Sequence, residues 1–121
     1  MKKLIGVMII LVLCGCSVKQ EEYACTYENT DKYNRYTTNV RIKIKNDVVE
    51  DATVVITYKD KTLADNMCDI YKGANESDAV ECKDEVITLN RFHKSISTDD
   101  ISLDEVLEYF GDRNYTCNEV K

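Results

Sequence analysis

Proline is missing from this chain of 121 residues, and histidine occurs once, at His93. A chain without proline suits a compact sheet joined by tight polar turns. A single histidine rules out the paired-histidine zinc motifs, and no Cys-x-x-Cys pair stands in for them. Glycine is scarce: Gly6, Gly15, Gly73 and Gly111 are the only four. Neither a phosphate-binding loop nor a dinucleotide fingerprint can be built from them. Positive charge is in deficit, with 16 basic against 22 acidic side chains and a net charge of −6. Such a domain is repelled by nucleic acid and by anionic headgroups, so neither is an expected partner. After Cys16 no apolar run is long enough to span a bilayer.

The N-terminal stretch is the most informative part of the sequence. Lys2 and Lys3 make a positive start, and Leu4 to Leu13 is apolar apart from Gly6. Small residues and a cysteine follow. That order is the order of a secretory signal, with an apolar run too short to cross a membrane. Leu13, three before Cys16, and Gly15, directly before it, complete a lipobox; Cys14 fails the same test because bulky Leu13 precedes it. A thiolate at Cys16 is the nucleophile that takes a diacylglyceryl group, and cleavage between Gly15 and Cys16 leaves a lipidated first residue. Two acyl chains give stable anchoring, at about 0.8 kcal/mol per buried CH2. An ordinary secretory signal with a chance cysteine, or an uncleaved short anchor, is the competing explanation. The expected organisation is a signal over 1–15, a lipidated cysteine and short tether over 16–22, and one domain over 23–121. With Lys2 and Lys3 removed, 14 basic side chains face 22 acidic ones, a net of −8. The acyl chains on Cys16 are then the membrane partner, on the extracytoplasmic face of the cell membrane.

The domain reads as alternating strands and two helices. Tyr23 to Asn29 alternates Tyr23, Cys25 and Tyr27 against Ala24 and Thr26. Tyr36 to Lys45 sets Val40, Ile42 and Ile44 against Arg41, Lys43 and Lys45, a half-buried strand with a wet basic face. Asn46-Asp47 is a two-residue hairpin turn. It pairs Ile44 with Val49, yet Ala52, Val54, Ile56 and Tyr58 are one residue out of phase. A bulge at Glu50-Asp51 restores the register.

Thr62 with Asp65 predicts a helix N-cap, with Leu63, Met67, Ile70 and Tyr71 at helical spacing and Gly73 as the stop. Asp65 to Glu76 has the length of a calcium loop but carries Met67 and Ile70 where a ligand and a glycine belong. A hairpin around Asp84-Glu85 sets Cys82 opposite Ile87 and Val80 opposite Leu89. His93 to Asp100 is a polar connection. Ser102 and Glu105 form a capping box, stapled by Ile101 and Val106, for a helix with Leu103, Val106, Leu107 and Phe110 inward and Gly111 at its end. Tyr115 to Cys117 is a short extended tail. The expected fold is α+β: an antiparallel sheet of about five strands packed on two helices, in β-β-β-α-β-β-α order and two layers.

Four cysteines remain after Cys16, which in an exported domain suggests two disulfides. Three pairings are possible, and free thiols in a reduced setting are the alternative. A helix packed on its sheet brings Cys68 to Cys82, while Cys25 and Cys117 flank the domain. The expected bonds are therefore Cys68–Cys82 and Cys25–Cys117.

Several marks together resemble small bacterial lipoproteins of the YehR-like family. They are the lipobox, Tyr-x-Cys-Thr at Tyr23 to Thr26, a Lys-Asn-Asp-Val hairpin, and Tyr115-Thr116-Cys117 after a short acidic helix. The resemblance implies fold and location and no particular activity.

Candidate chemistry is thin. His93 has no assignable nucleophile or orienting group and reads as a solvated surface histidine. Cys68, Cys82 and His93 are a conceivable zinc set, but disulfide bonding explains the cysteines more simply. The acidic run Asp99, Asp100, Asp104, Glu105 and Glu108 is a conceivable cation site, but the first four read more simply as charge at a helix N-terminus. Eight tyrosines stand against two phenylalanines; Tyr36, Tyr58 and Tyr71 either close the rim of a small core or form a recognition surface. No catalytic residues, metal or cofactor are expected. The expected function is a non-enzymatic binding or envelope-accessory domain with an unidentified protein or small-molecule partner. A small-ligand carrier with a tyrosine-lined pocket on the sheet face is the alternative.

Overall fold

The computed structural model describes residues 19–33, 35–75 and 77–120. The expected signal over 1–15, with Gly15, and the expected lipidation residue Cys16 lie outside these. Three long strands open the domain: β1 (Gln20–Asn29), β2 (Tyr36–Lys45) and β3 (Val48–Tyr58). Helix α1 (Lys61–Ala74) follows, then a 3-10 turn (Ser77–Ala79) and the hairpin β4 (Val80–Lys83) and β5 (Val86–Leu89). A single helical turn, α2 (His93–Ile96), leads to α3 (Leu103–Gly111) and β6 (Thr116–Glu119). The fold is broadly α+β, as expected, but among the described residues the sheet has six strands and there are three helices rather than two. Sheet order is β4-β5-β3-β2-β1-β6, and every pairing is antiparallel.

Strict alternation drives the centre of the sheet. On β2, Thr38, Val40, Ile42 and Ile44 are buried while Asn39, Arg41, Lys43 and Lys45 are exposed. A two-residue turn, with Asn46 and Asp47 at φ 53° and 66°, starts the return strand. Ile44 pairs with Val49 and Lys43 with Asp51, so Glu50 is the extra residue of the expected bulge. That one insertion keeps Val49, Ala52, Val54, Ile56 and Tyr58 all buried. The β4–β5 register, Val80 to Leu89 and Cys82 to Ile87, is also as expected.

Helices α1 and α3 pack on this apolar face. Helix α1 buries Ala64 and Cys68, and the small alanine lets the helix approach the sheet closely. Asp60, not Thr62, is its N-cap: the Asp60 carboxylate accepts from the Thr62 amide at 2.7 Å. Both residues are good caps, and the one further upstream wins because its backbone is still extended. Gly73 does not stop the helix, which runs on to Ala74. Ile70 points outward at 59% exposure and is no part of the core. Helix α3 carries the full capping box: Ser102 Oγ accepts from the Glu105 amide, and the Glu105 carboxylate accepts from the Ser102 amide. Val106 and Phe110 are its buried residues.

The free edge of β3 is covered along its length. Beyond β5, the Phe92 amide donates to the Ala52 carbonyl and the Val49 amide to the Ile101 carbonyl. An otherwise open edge would invite pairing with another chain. The opposite face of the sheet keeps Thr26, Asn39, Arg41 and Thr57 exposed.

Candidate functional site

The domain has two unlike ends, set by β1. Ten residues at about 3.3 Å each make β1 roughly 30 Å long. At its start, Lys19 sits against the β2–β3 turn: the Asn46 amide donates to the Lys19 carbonyl at 2.8 Å, and the Lys19 ammonium lies 3.4 Å from Asp47 and 3.8 Å from Glu21. These carboxylates raise the Lys19 pKa, Asp47 most. At the far end, the β1–β2 turn meets the β3–α1 turn, and two sets of side chains gather there.

The first set is aromatic. Tyr36 and Tyr58 pair across β2 and β3 with ring centroids 5.5 Å apart. Tyr27 adjoins Tyr36 at 6.2 Å and Tyr115 at 5.3 Å, and Tyr115 meets Phe110 edge-on at 5.0 Å. Tyr58 and Tyr71 are linked by a hydroxyl hydrogen bond, as are Tyr115 and Thr38. Burial pushes the Tyr58 phenol far above its ordinary range. Tyr58 is thus part of the core, and Tyr36 and Tyr71 pack at its rim.

The second set is cationic. An open depression of about 490 Å3 is lined by Lys32, Tyr33, Arg35, Lys59, Asp60, Lys61 and Leu63. Arg35 and Lys59 face each other across the strands, since the Lys59 amide donates to the Arg35 carbonyl at 3.2 Å just beyond the Tyr36–Tyr58 pair. Lys61 is engaged by Asp65 at 3.0 Å. Among the described residues Lys32, Arg35 and Lys59 form no ion pair; Lys32 lies 5.7 Å over the Tyr33 ring. Tyr33 itself is 83% exposed. Sequence reasoning passed over this cluster. Its members sit in two turns that each look ordinarily polar, and only the sheet register joins them.

His93 departs from expectation. It is not solvated at a strand end but begins α2, with its side chain only 14% exposed. The Phe92–Ala52 hydrogen bond draws this turn onto the sheet edge. Nδ1 is buried with no hydrogen-bond partner among the described residues, and Asp51 of the bulge is 3.9 Å away. Burial lowers the His93 pKa, Asp51 opposes that shift, and Lys94 adds to it.

The four cysteines pair as expected. Cys25 and Cys117 are bonded across β1 and β6, and Cys68 on α1 is bonded to Cys82 on β4. Cys68, Cys82 and His93 do not form a metal set, and no three His, Cys, Asp or Glu side chains among the described residues converge on one. In the acidic run, Asp104 and Glu105 lie in the first turn of α3, where the helix end favours them. No family model, curated protein or solved structure matches the chain.

Proposed function

We propose that the chain is a lipoprotein anchored by a diacylglyceryl group on Cys16, facing the extracytoplasmic side of the cell membrane. Its domain is a non-enzymatic binding or envelope-accessory module, akin to the YehR-like lipoproteins. The observation that carries this reading is the lipobox Leu13 to Cys16, followed so closely by the folded domain. Only Ser17 and Val18 separate Cys16 from Lys19, which is fastened to the Asn46-Asp47 turn. A tether that short holds the turn end within about 15 Å of the bilayer. The tyrosine and cation end is then directed away from it. Among the described residues no helix is long and apolar enough to cross a membrane.

A recognition surface at that outer end suits the observed side chains better than an enclosed carrier cavity. The tyrosine rings pack on one another, whereas the depression beside them is open. Labelling cells with radioactive palmitate tests the anchor. The wild-type chain takes up label and fractionates with membranes; Cys16→Ala loses both. Unlabelled wild-type chain would refute the proposal.

A further inference from the structure

We infer that the depression bounded by Lys32, Arg35 and Lys59 is a binding site for phosphate groups. A chain with net charge −6 has few cations to spare, yet four line this one hollow. Like charges directly opposite each other destabilise a sheet; the Arg35 and Lys59 backbones are paired, and among the described residues neither side chain forms an ion pair. Asp60 in the lining and Asp31 in the neighbouring turn each accept a backbone amide, and Asp65 is taken up by Lys61. Asp60 accepts from the Thr62 amide at 2.7 Å, and Asp31 accepts from the Tyr33 amide at 2.8 Å. Asp60 also caps α1 through the Thr62 amide, and the site rests on the side-chain cations. A guanidinium fork takes carboxylate or phosphate alike, and the ammonium groups beside it supply donors for the further acceptor oxygens that a tetrahedral oxyanion has. Exposed Tyr33, with Lys32 over its ring, walls one side.

The chemistry stands on these residues alone. Its biological source rests on the anchored reading above, in which the site lies roughly 30 Å from the membrane-facing turn. That position favours phosphate carried in solution or on a polymer over the headgroups of the protein's own bilayer.

The test uses the full chain in neutral detergent, with three probes: inorganic phosphate, linear polyphosphate, and phosphatidylglycerol vesicles against phosphatidylcholine vesicles. Binding of polyphosphate or phosphate, weakening as salt is raised, is expected. Selective binding of phosphatidylglycerol vesicles alone would keep the phosphate chemistry and make headgroups the source. Arg35→Gln with Lys59→Gln should weaken polyphosphate binding at least tenfold, while Lys43→Gln with Lys45→Gln on the exposed sheet face changes it less than twofold. Without anion the Arg35/Lys59 variant should melt no lower than wild type, because repulsion is relieved. Binding to none of the probes, equal loss in both double variants, or equally tight binding of polyglutamate would overturn the inference. A palmitate-labelled chain that binds no phosphate would sink this site and leave the anchor standing.

Discussion

Cys25 and Cys117 stand directly opposite each other on β1 and β6, Cα atoms 4.0 Å apart, and their bond fastens the last strand to the first. Cys25 is fully buried. The other bond, Cys68–Cys82, ties α1 to the edge strand β4, and Cys82 is exposed. A hydrophilic reductant should therefore open Cys68–Cys82 first. Timed thiol alkylation and peptide mapping will show the order; simultaneous labelling of all four cysteines contradicts it. By loop closure, replacing both members of the short bond with alanine costs about 3 kcal/mol and of the long bond about 4.5.

Ser102 holds the start of α3 through the reciprocal bonds with Glu105. Ser102→Ala should lower stability by about 1 kcal/mol in urea unfolding, and Ser102→Asp should recover most of it. The Glu105 carboxylate is held below its ordinary pKa by the Ser102 backbone and side-chain hydrogen bonds. Its contribution is present above the ordinary carboxylate pKa and fades as pH falls through the lowered value.

His93 should titrate below 6.5, since burial disfavours its charged form. The unfolded chain then binds this proton more readily than the folded one. Stability from neutral His93 is complete above pH 6.5 and declines as pH falls from there through the folded value. As the sole histidine, it gives one resolved imidazole signal by NMR. A midpoint above 6.5, or an unchanged acid slope of melting temperature in His93→Gln, contradicts the burial argument.

Tyr58 should resist ionisation. Burial and the neighbouring Tyr71 and Tyr36 favour its neutral phenol, so its stabilising effect is present below pH 10 and is lost as pH rises above that. Absorbance titration near 295 nm should show a tyrosine that ionises only with unfolding. Tyr58→Phe should remove that late step, and a wild-type titration in which every tyrosine ionises reversibly by pH 11 would count against it.

Much of the domain is written in local patterns. The β2–β3 turn and its bulge follow from a break in apolar alternation at Glu50, and the Asp84-Glu85 hairpin and Ser102–Glu105 box follow from spacing alone. The cysteine pairing follows from element order. What escaped is what only pairing creates. β6 runs Thr116-Cys117-Asn118-Glu119 with no apolar alternation, and it is a strand because it hydrogen-bonds to β1 beside the Cys25–Cys117 bond. Gln20 to Glu22 reads as polar tether for the same reason, yet it extends β1 against Lys43 to Lys45. His93 is hidden by a backbone bond between Phe92 and Ala52 that no local pattern announces.

Intact mass of the chain extracted from native membranes, taken with and without reductant and a thiol label, bears most directly on the proposal of a lipid-anchored, doubly cross-linked domain. The predicted species begins at Cys16, carries a diacylglyceryl group, takes no label before reduction and takes four labels after it. A chain that still begins at Met1 without lipid, or one whose cysteines label before reduction, would contradict it.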